Sequence, residues 1–247
     1  MKKLHLLGLL IFALSLGSCT FTENIYINED GTGKFSLDMD GSSILAMVPE
    51  DSLKNEKSVD TTIYFKDIIK EKQDSISKLS AQEQAKFKRM ENFVMNMKMN
   101  AAQKQMLFSL STDFKNVSEL GDAFSTMGAL KDSKKDKSNN PMGSMLGGLG
   151  NNDNQISYTY DGKKFTRKGI ANKAKETKDK TSEEESMQMI LESSTYVVKY
   201  HFPKAVKKVS NDKAQFSEDR KTITIEYPFT EYKDTPEKLN FEVEFQK

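Results

Sequence analysis

Thirteen residues from Leu4 to Leu16, almost wholly apolar and interrupted only by His5, Gly8 and Ser15, follow the two lysines near the start of the chain. As a helix such a run reaches about 20 Å, whereas a bilayer core needs roughly 30 Å. The segment is too short for a permanent span and reads as the core of a secretion signal covering residues 1–18. This assignment constrains all that follows. It leaves 229 of the 247 residues to fold outside the cytoplasm, enough for one large domain or two small ones. Export brings the chain into an oxidising compartment, yet Cys19 is its single cysteine. No internal disulfide can form, and stability has to come from packing.

The signal ends in Leu16-Gly17-Ser18-Cys19. A branched aliphatic residue, two small residues and a cysteine in this order resemble the lipobox of bacterial lipoproteins. The resemblance implies that the Cys19 thiol takes a diacylglycerol, that cleavage after Ser18 makes Cys19 the first mature residue, and that the chain is held in the membrane by a lipid anchor. Several acyl chains, each methylene contributing about 0.8 kcal/mol on burial, make such an anchor effectively stable. Thr20 is not the aspartate that retains many enterobacterial lipoproteins in the inner membrane. Residues 20–24 also lack the lysine followed by acidic residues that is typical of surface-export signals in Bacteroidetes. By the same resemblance the expected location is the outer membrane, facing the periplasm.

Charge excludes one class of partner. There are 37 basic and 36 acidic residues, and loss of Lys2 and Lys3 turns the formal charge from +1 to −1. So even a balance gives no concentrated basic face, and nucleic acid is not expected as a partner.

Past Cys19 the hydrophobic pattern changes to period two. Phe21, Ile25 and Ile27 precede Asp30-Gly31-Thr32-Gly33, and Phe35, Leu37 and Met39 follow, which predicts a β-hairpin. A short helix is expected over 41–47, ended before Pro49, then an extended piece at 61–65 and a helical face from Ile68, Ile69, Ile76 and Leu79. Ser80 and Glu83 have capping-box spacing ahead of a helix over about 81–93. Met95, Met97 and Met99, then Met106, Phe108 and Leu110, alternate as two antiparallel strands around a turn; one long helix broken near Asn100 is the alternative. A further helix is expected from Ser118, with Leu120, Phe124 and Met127 on one side. Residues 131–154, first charged and then glycine-rich, read as a flexible insertion in a single domain over 19–247. Asp161-Gly162 suits the primed turn of a second hairpin over 156–167, and Ser182 caps a helix over 183–192. Strands are expected at 195–203, 222–228 and 239–245, the last with Glu242 and Glu244 facing water. The total predicts an α+β fold, an antiparallel, hairpin-rich sheet packed with three or four helices.

Candidate chemistry is sparse. His201 is the only histidine left after processing, and its place between Tyr200 and Phe202 in a strand gives it a structural or simply exposed role. Asp38 with Asp40, and Glu242 with Glu244, read as the solvated sides of strands, and Glu183 to Glu185 as a favourable helix start. Gly31-Thr32-Gly33-Lys34-Phe35 lacks the spacing of a phosphate loop. Met90, Met95, Met97, Met99 and Met106 suit core packing first, an adaptable apolar surface second and a soft metal such as Cu(I) third. No catalytic residue, metal ligand or cofactor is expected.

The whole chain resembles uncharacterised envelope lipoproteins of Bacteroidetes. The Tyr26 to Asp40 hairpin after the lipobox is similar in layout to the LppM-like lipoprotein domain, as are the Tyr196 to Pro203 strand, the turn at Asn211, the strand over 222–227 and the terminal strand. This implies an envelope lipoprotein and carries over no catalytic residue. The expected function is a non-enzymatic binding module for an envelope protein or lipid-like ligand. A structural role in envelope assembly is the second reading and a carboxylate-based hydrolase the third.

Overall fold

The computed structural model describes residues 19–53, 57–121, 155–171, 189 and 191–246. The expected signal (with Leu16, Gly17 and Ser18), the 131–154 insertion, Phe124 and Met127, and Glu183 to Glu185 lie outside the described residues.

Strand β1 (Thr20–Ile27) begins directly after Cys19 and turns into β2 (Gly33–Asp40), as its alternation predicts. The turn needs Gly31 at φ 83°, a region that costs a side chain energy. Helices α1 (Ser42–Met47) and α2 (Glu50–Leu53) lead to β3 (Val59–Tyr64), followed by α3 (Phe65–Glu71), α4 (Gln73–Ile76) and α5 (Ala81–Met90). At the start of α5 the Ser80 hydroxyl accepts from the Glu83 N–H while the Glu83 carboxylate accepts from the Ser80 N–H, the reciprocal cap read from the sequence. The methionine runs are the strands β4 (Val94–Asn100) and β5 (Gln105–Phe114), paired antiparallel, so the single-helix alternative is excluded. From Ser118 the chain passes through a 3-10 turn, Val117–Glu119, into helical backbone at Leu120 and Gly121, where the described stretch ends.

The hairpin of β6 (Gln155–Tyr160) and β7 (Lys164–Ile170) turns at Gly162, φ 79°. Then come β8 (Thr195–His201), β9 (Val206–Val209), β10 (Gln215–Phe216), β11 (Thr222–Pro228), α6 (Phe229–Asp234), a 3-10 turn at Pro236–Leu239 and β12 (Phe241–Phe245). Phe241, Val243 and Phe245 are buried while Glu242 and Glu244 face out. Leu239 is buried too, but in the 3-10 turn ahead of the strand.

These strands make two sheets, an eight-stranded one in the order β10-β11-β8-β1-β2-β5-β4-β3 and a four-stranded one in the order β6-β7-β12-β9. The α+β class with antiparallel, hairpin-rich pairing is therefore observed, and the structure adds two points. There are two sheets, and the larger is mixed because β1 and β8 run parallel from Thr20↔Thr195 to Tyr26↔His201. Alternation identifies a strand and its faces but carries no record of a partner about 175 residues away or of its direction. The facing sides of the two sheets share one buried cluster, running from Phe21, Ile25 and Leu37 on the larger to Tyr158, Phe165 and Val243 on the smaller.

Candidate functional site

Sheet register puts one residue row across seven strands on the inward face: Ile225, Val198, Glu23, Leu37, Leu110, Met95 and Ile63. Six of the seven are apolar. The seventh, Glu23, sits in the register of Phe21 and Ile25 and is 0% exposed. An isolated carboxylate there would cost far more than a folded domain can spare, so its partners decide whether the strand can lie this way.

Both sheets supply them. From β8, Tyr200 donates its hydroxyl to Oε1 of Glu23 at 2.5 Å and Tyr196 donates to Oε2. From β6, Tyr158 donates to Oε1 at 2.6 Å. From β7, the guanidinium of Arg167, also 0% exposed, places Nη2 3.5 Å from Oε2, within ion-pair range but outside hydrogen-bond alignment. Nη1 of Arg167 donates to the Leu239 carbonyl at 3.2 Å, and its Cζ stands 5.9 Å from the centre of the Tyr158 ring. Tyr232 of α6 stacks on Tyr196 at 4.0 Å and closes the cluster from that side.

Burial, and after it the Glu23 charge, holds the phenols of Tyr158, Tyr196 and Tyr200 well above their ordinary pKa, so each remains a neutral donor. For Arg167 burial opposes the charge, but the oxygens of Tyr158, Glu23, Tyr200 and Tyr196 outweigh it and raise the pKa. The arrangement is electrostatically closed. Its carboxylate has three phenol donors and a counter-ion and no solvent-facing side from which a substrate could be reached, so its effect is to pin β1 and β8 against β6 and β7.

The outer face of the larger sheet is polar. Asn24 donates to Oδ2 of Asp38 at 2.7 Å, Ser36 to the same oxygen at 3.1 Å, and Ser109 to Oδ1 at 2.5 Å. Asp38 and Asp40 thus lie on the outward side of β2, as expected, with Asp40 accepting from the Ser42 N–H at the start of α1. Glu242 pairs with Lys164 across the smaller sheet at 2.8 Å. His201 stacks on Tyr26 at 4.0 Å and meets the Thr222 hydroxyl through Nδ1 at 3.0 Å. Burial, aided by Lys199 and opposed by Asp219, lowers its pKa, as suits a packed neutral ring. The glycine-rich segment at 31–33 is a turn, in which Asp30 accepts from both the backbone and the hydroxyl of Thr32. Met90 and Met95 belong to the core, and Met106 packs partly against it. Among the described residues no group of three or more His, Cys, Asp or Glu side chains is placed to hold a metal ion.

Cys19 is 2% exposed, its sulfur 3.8 Å from the Ser43 hydroxyl of α1 and its carbonyl accepting from the Thr195 N–H. Burial raises its thiol pKa.

Sequence reasoning passed over Glu23 and Arg167. A signal was present in the first case, since Glu23 falls on the even spacing of Phe21, Ile25 and Ile27, where a solvated charge is out of place. Arg167 lies in the middle of β7, and no apolar run around it in the sequence marks it as buried.

The fold is thus that of a two-sheet α+β domain with a sealed carboxylate–arginine–tyrosine cluster between the sheets. No family model matches the chain, and no curated protein matches it. Among solved structures it is similar to the folded domain of LppM from Mycobacterium tuberculosis, determined by NMR, with a TM-score of 0.41 and 6% identity over 94% of this chain and 92% of that one.

Proposed function

We propose that the protein is a lipoprotein of the bacterial cell envelope, anchored through acylated Cys19 and acting as a non-enzymatic binding module for a protein or lipid-like ligand. One observation carries the anchored reading: the lipobox Leu16 to Cys19 is followed without any spacer by Thr20, the first residue of an interior strand. A processed and acylated Cys19 therefore leads straight into the fold. The non-enzymatic reading is supported by the cluster itself, because Glu23 and Arg167 are sealed from solvent. Thr20 in place of an aspartate favours the outer membrane, facing the periplasm.

Metabolic labelling with an alkyne fatty acid tests the anchor. The label should appear on the wild-type protein and vanish in Cys19→Ser together with signal cleavage; equal processing and fractionation of the two forms would refute it. For the binding reading, affinity capture of the acylated protein from envelope extract, read by native mass spectrometry, should recover a stoichiometric protein or lipid. Recovery of neither would count against it.

A further inference from the structure

We infer that the Cys19 end of the larger sheet is a bilayer-contacting surface, on which Met47 and Met189 enter the headgroup region of the membrane that holds the anchor. The inference rests on the lipid-bearing reading of Cys19 and adds to it which part of the fold faces lipid.

The first argument is one of reach. Thr20 is already in β1, so no tether separates an acylated Cys19 from the sheet. Whatever surrounds Cys19 has to sit at the membrane interface. Two segments do. The first is α1, reached through the 3.8 Å approach of the Cys19 sulfur to Ser43 and held to β5 by Gly41, which donates to the Met106 carbonyl, and Ser42, which accepts from the Met106 N–H. The second is the helical end before β8, where Thr195 donates to the Cys19 carbonyl and Ser193 to the Met189 carbonyl.

The second argument is what these segments expose. Met47 is 68% exposed and Met189 65%, the highest values among the large hydrophobic side chains of the described residues. Each lies on one of the two segments that flank Cys19. Unbranched thioether side chains adapt to an irregular apolar environment such as a membrane interface. The opposite end of β1, about 23 Å of strand away, leads into the turn that carries Glu29 and Asp30.

The chain contains no tryptophan, so one introduced indole is a unique reporter. Acylated full-length Met47→Trp, Met189→Trp and Glu29→Trp proteins would be reconstituted in phosphatidylcholine vesicles whose acyl chains carry bromine near the headgroup. Fatty-acid labelling of the same samples is read in parallel, and thermal melts confirm that each variant is folded. The expected result is blue-shifted emission and loss of intensity for the indoles at positions 47 and 189, with no quenching at position 29. Acylated protein with all three indoles unquenched overturns this inference and leaves the anchor standing. Protein without fatty acid removes the anchor, and this inference with it.

Discussion

Replacing Glu23 by leucine keeps the approximate volume of the side chain and removes the acceptor at the centre of the buried cluster. Arg167 is then a fully buried cation with one carbonyl partner, and the hydroxyls of Tyr158, Tyr196 and Tyr200 lose their acceptor. Breaking a buried pair from one side costs about 3–5 kcal/mol. Each stranded phenol adds roughly 1–3 kcal/mol where it cannot turn to water, and these three are 0–1% exposed. The terms share atoms and do not simply add. The pair alone sets a floor of about 3–5 kcal/mol, a large part of the roughly 5–15 kcal/mol that holds a domain together. In a chain of this size that floor lowers Tm by roughly 6–20 °C. Urea denaturation of the unacylated Cys19→Ser form with and without Glu23→Leu measures it, provided the m-value is unchanged. Adding Arg167→Met removes the stranded charge, and the double variant should recover most of the pair's share, since apolar replacement of a buried pair is often neutral or stabilising. A single-variant loss below about 1 kcal/mol, the scale of an exposed ion pair, or a double variant weaker than the single, would refute the account of a sealed and charge-compensated cluster.

Alkaline titration followed by phenolate absorbance should show Tyr158, Tyr196, Tyr200, Tyr227 and Tyr232 ionising late; burial, as the largest cause, raises all five and takes Tyr227 to about 12. Their folded pKa values lie above the unfolded value near 10, so their contribution is complete below about pH 10 and falls as pH rises further, by roughly 1.4 kcal/mol per pH unit for each phenol still neutral in the fold; five phenols titrating freely in the native state would contradict the burial. Gly33→Ala places a Cβ 1.9 Å from the Tyr26 carbonyl and 2.4 Å from the Phe114 ring, so a loss of at least about 1–3 kcal/mol is expected, and a neutral result by urea denaturation would show that β1 and β2 can part there. Ser80→Ala removes the α5 cap and should cost about 1 kcal/mol in the same assay, without altering the alkaline titration.

How much of this was legible in the sequence follows from how local each signal is. Both glycine-turn hairpins, the α5 cap and the β4–β5 pair are written within a few tens of residues, and they stand where alternation and turn chemistry put them. Strands β9 and β10 escaped notice because Val206–Val209 and Gln215–Phe216 are four and two residues long, too short to show a period. The parallel β1–β8 pair and the division into two sheets depend on which distant edges meet, and no local pattern records that. Glu23 shows the same limit from the other side. Its position was visible as a charge in an apolar register, but its partners lie 135 to 177 residues away in sequence. Only the folded chain shows that the anomaly is satisfied.

The cluster and the proposed anchor meet in one strand. The first residues of a mature chain commonly fray, because little holds them. Here the strand that starts beside Cys19 is interior, paired along eight positions with β2 and along seven with β8. A slip of one residue against either neighbour would turn Glu23 toward solvent and carry Asn24 into the apolar row. Three phenols and Arg167 would lose their acceptor, and Asp38 would lose the Asn24 amide. The buried carboxylate therefore fixes the register of the very strand through which an acylated Cys19 would hold the domain. A pull on the lipid would be borne by a strand bonded on both sides and locked to a second sheet, rather than by a peripheral end that could peel away.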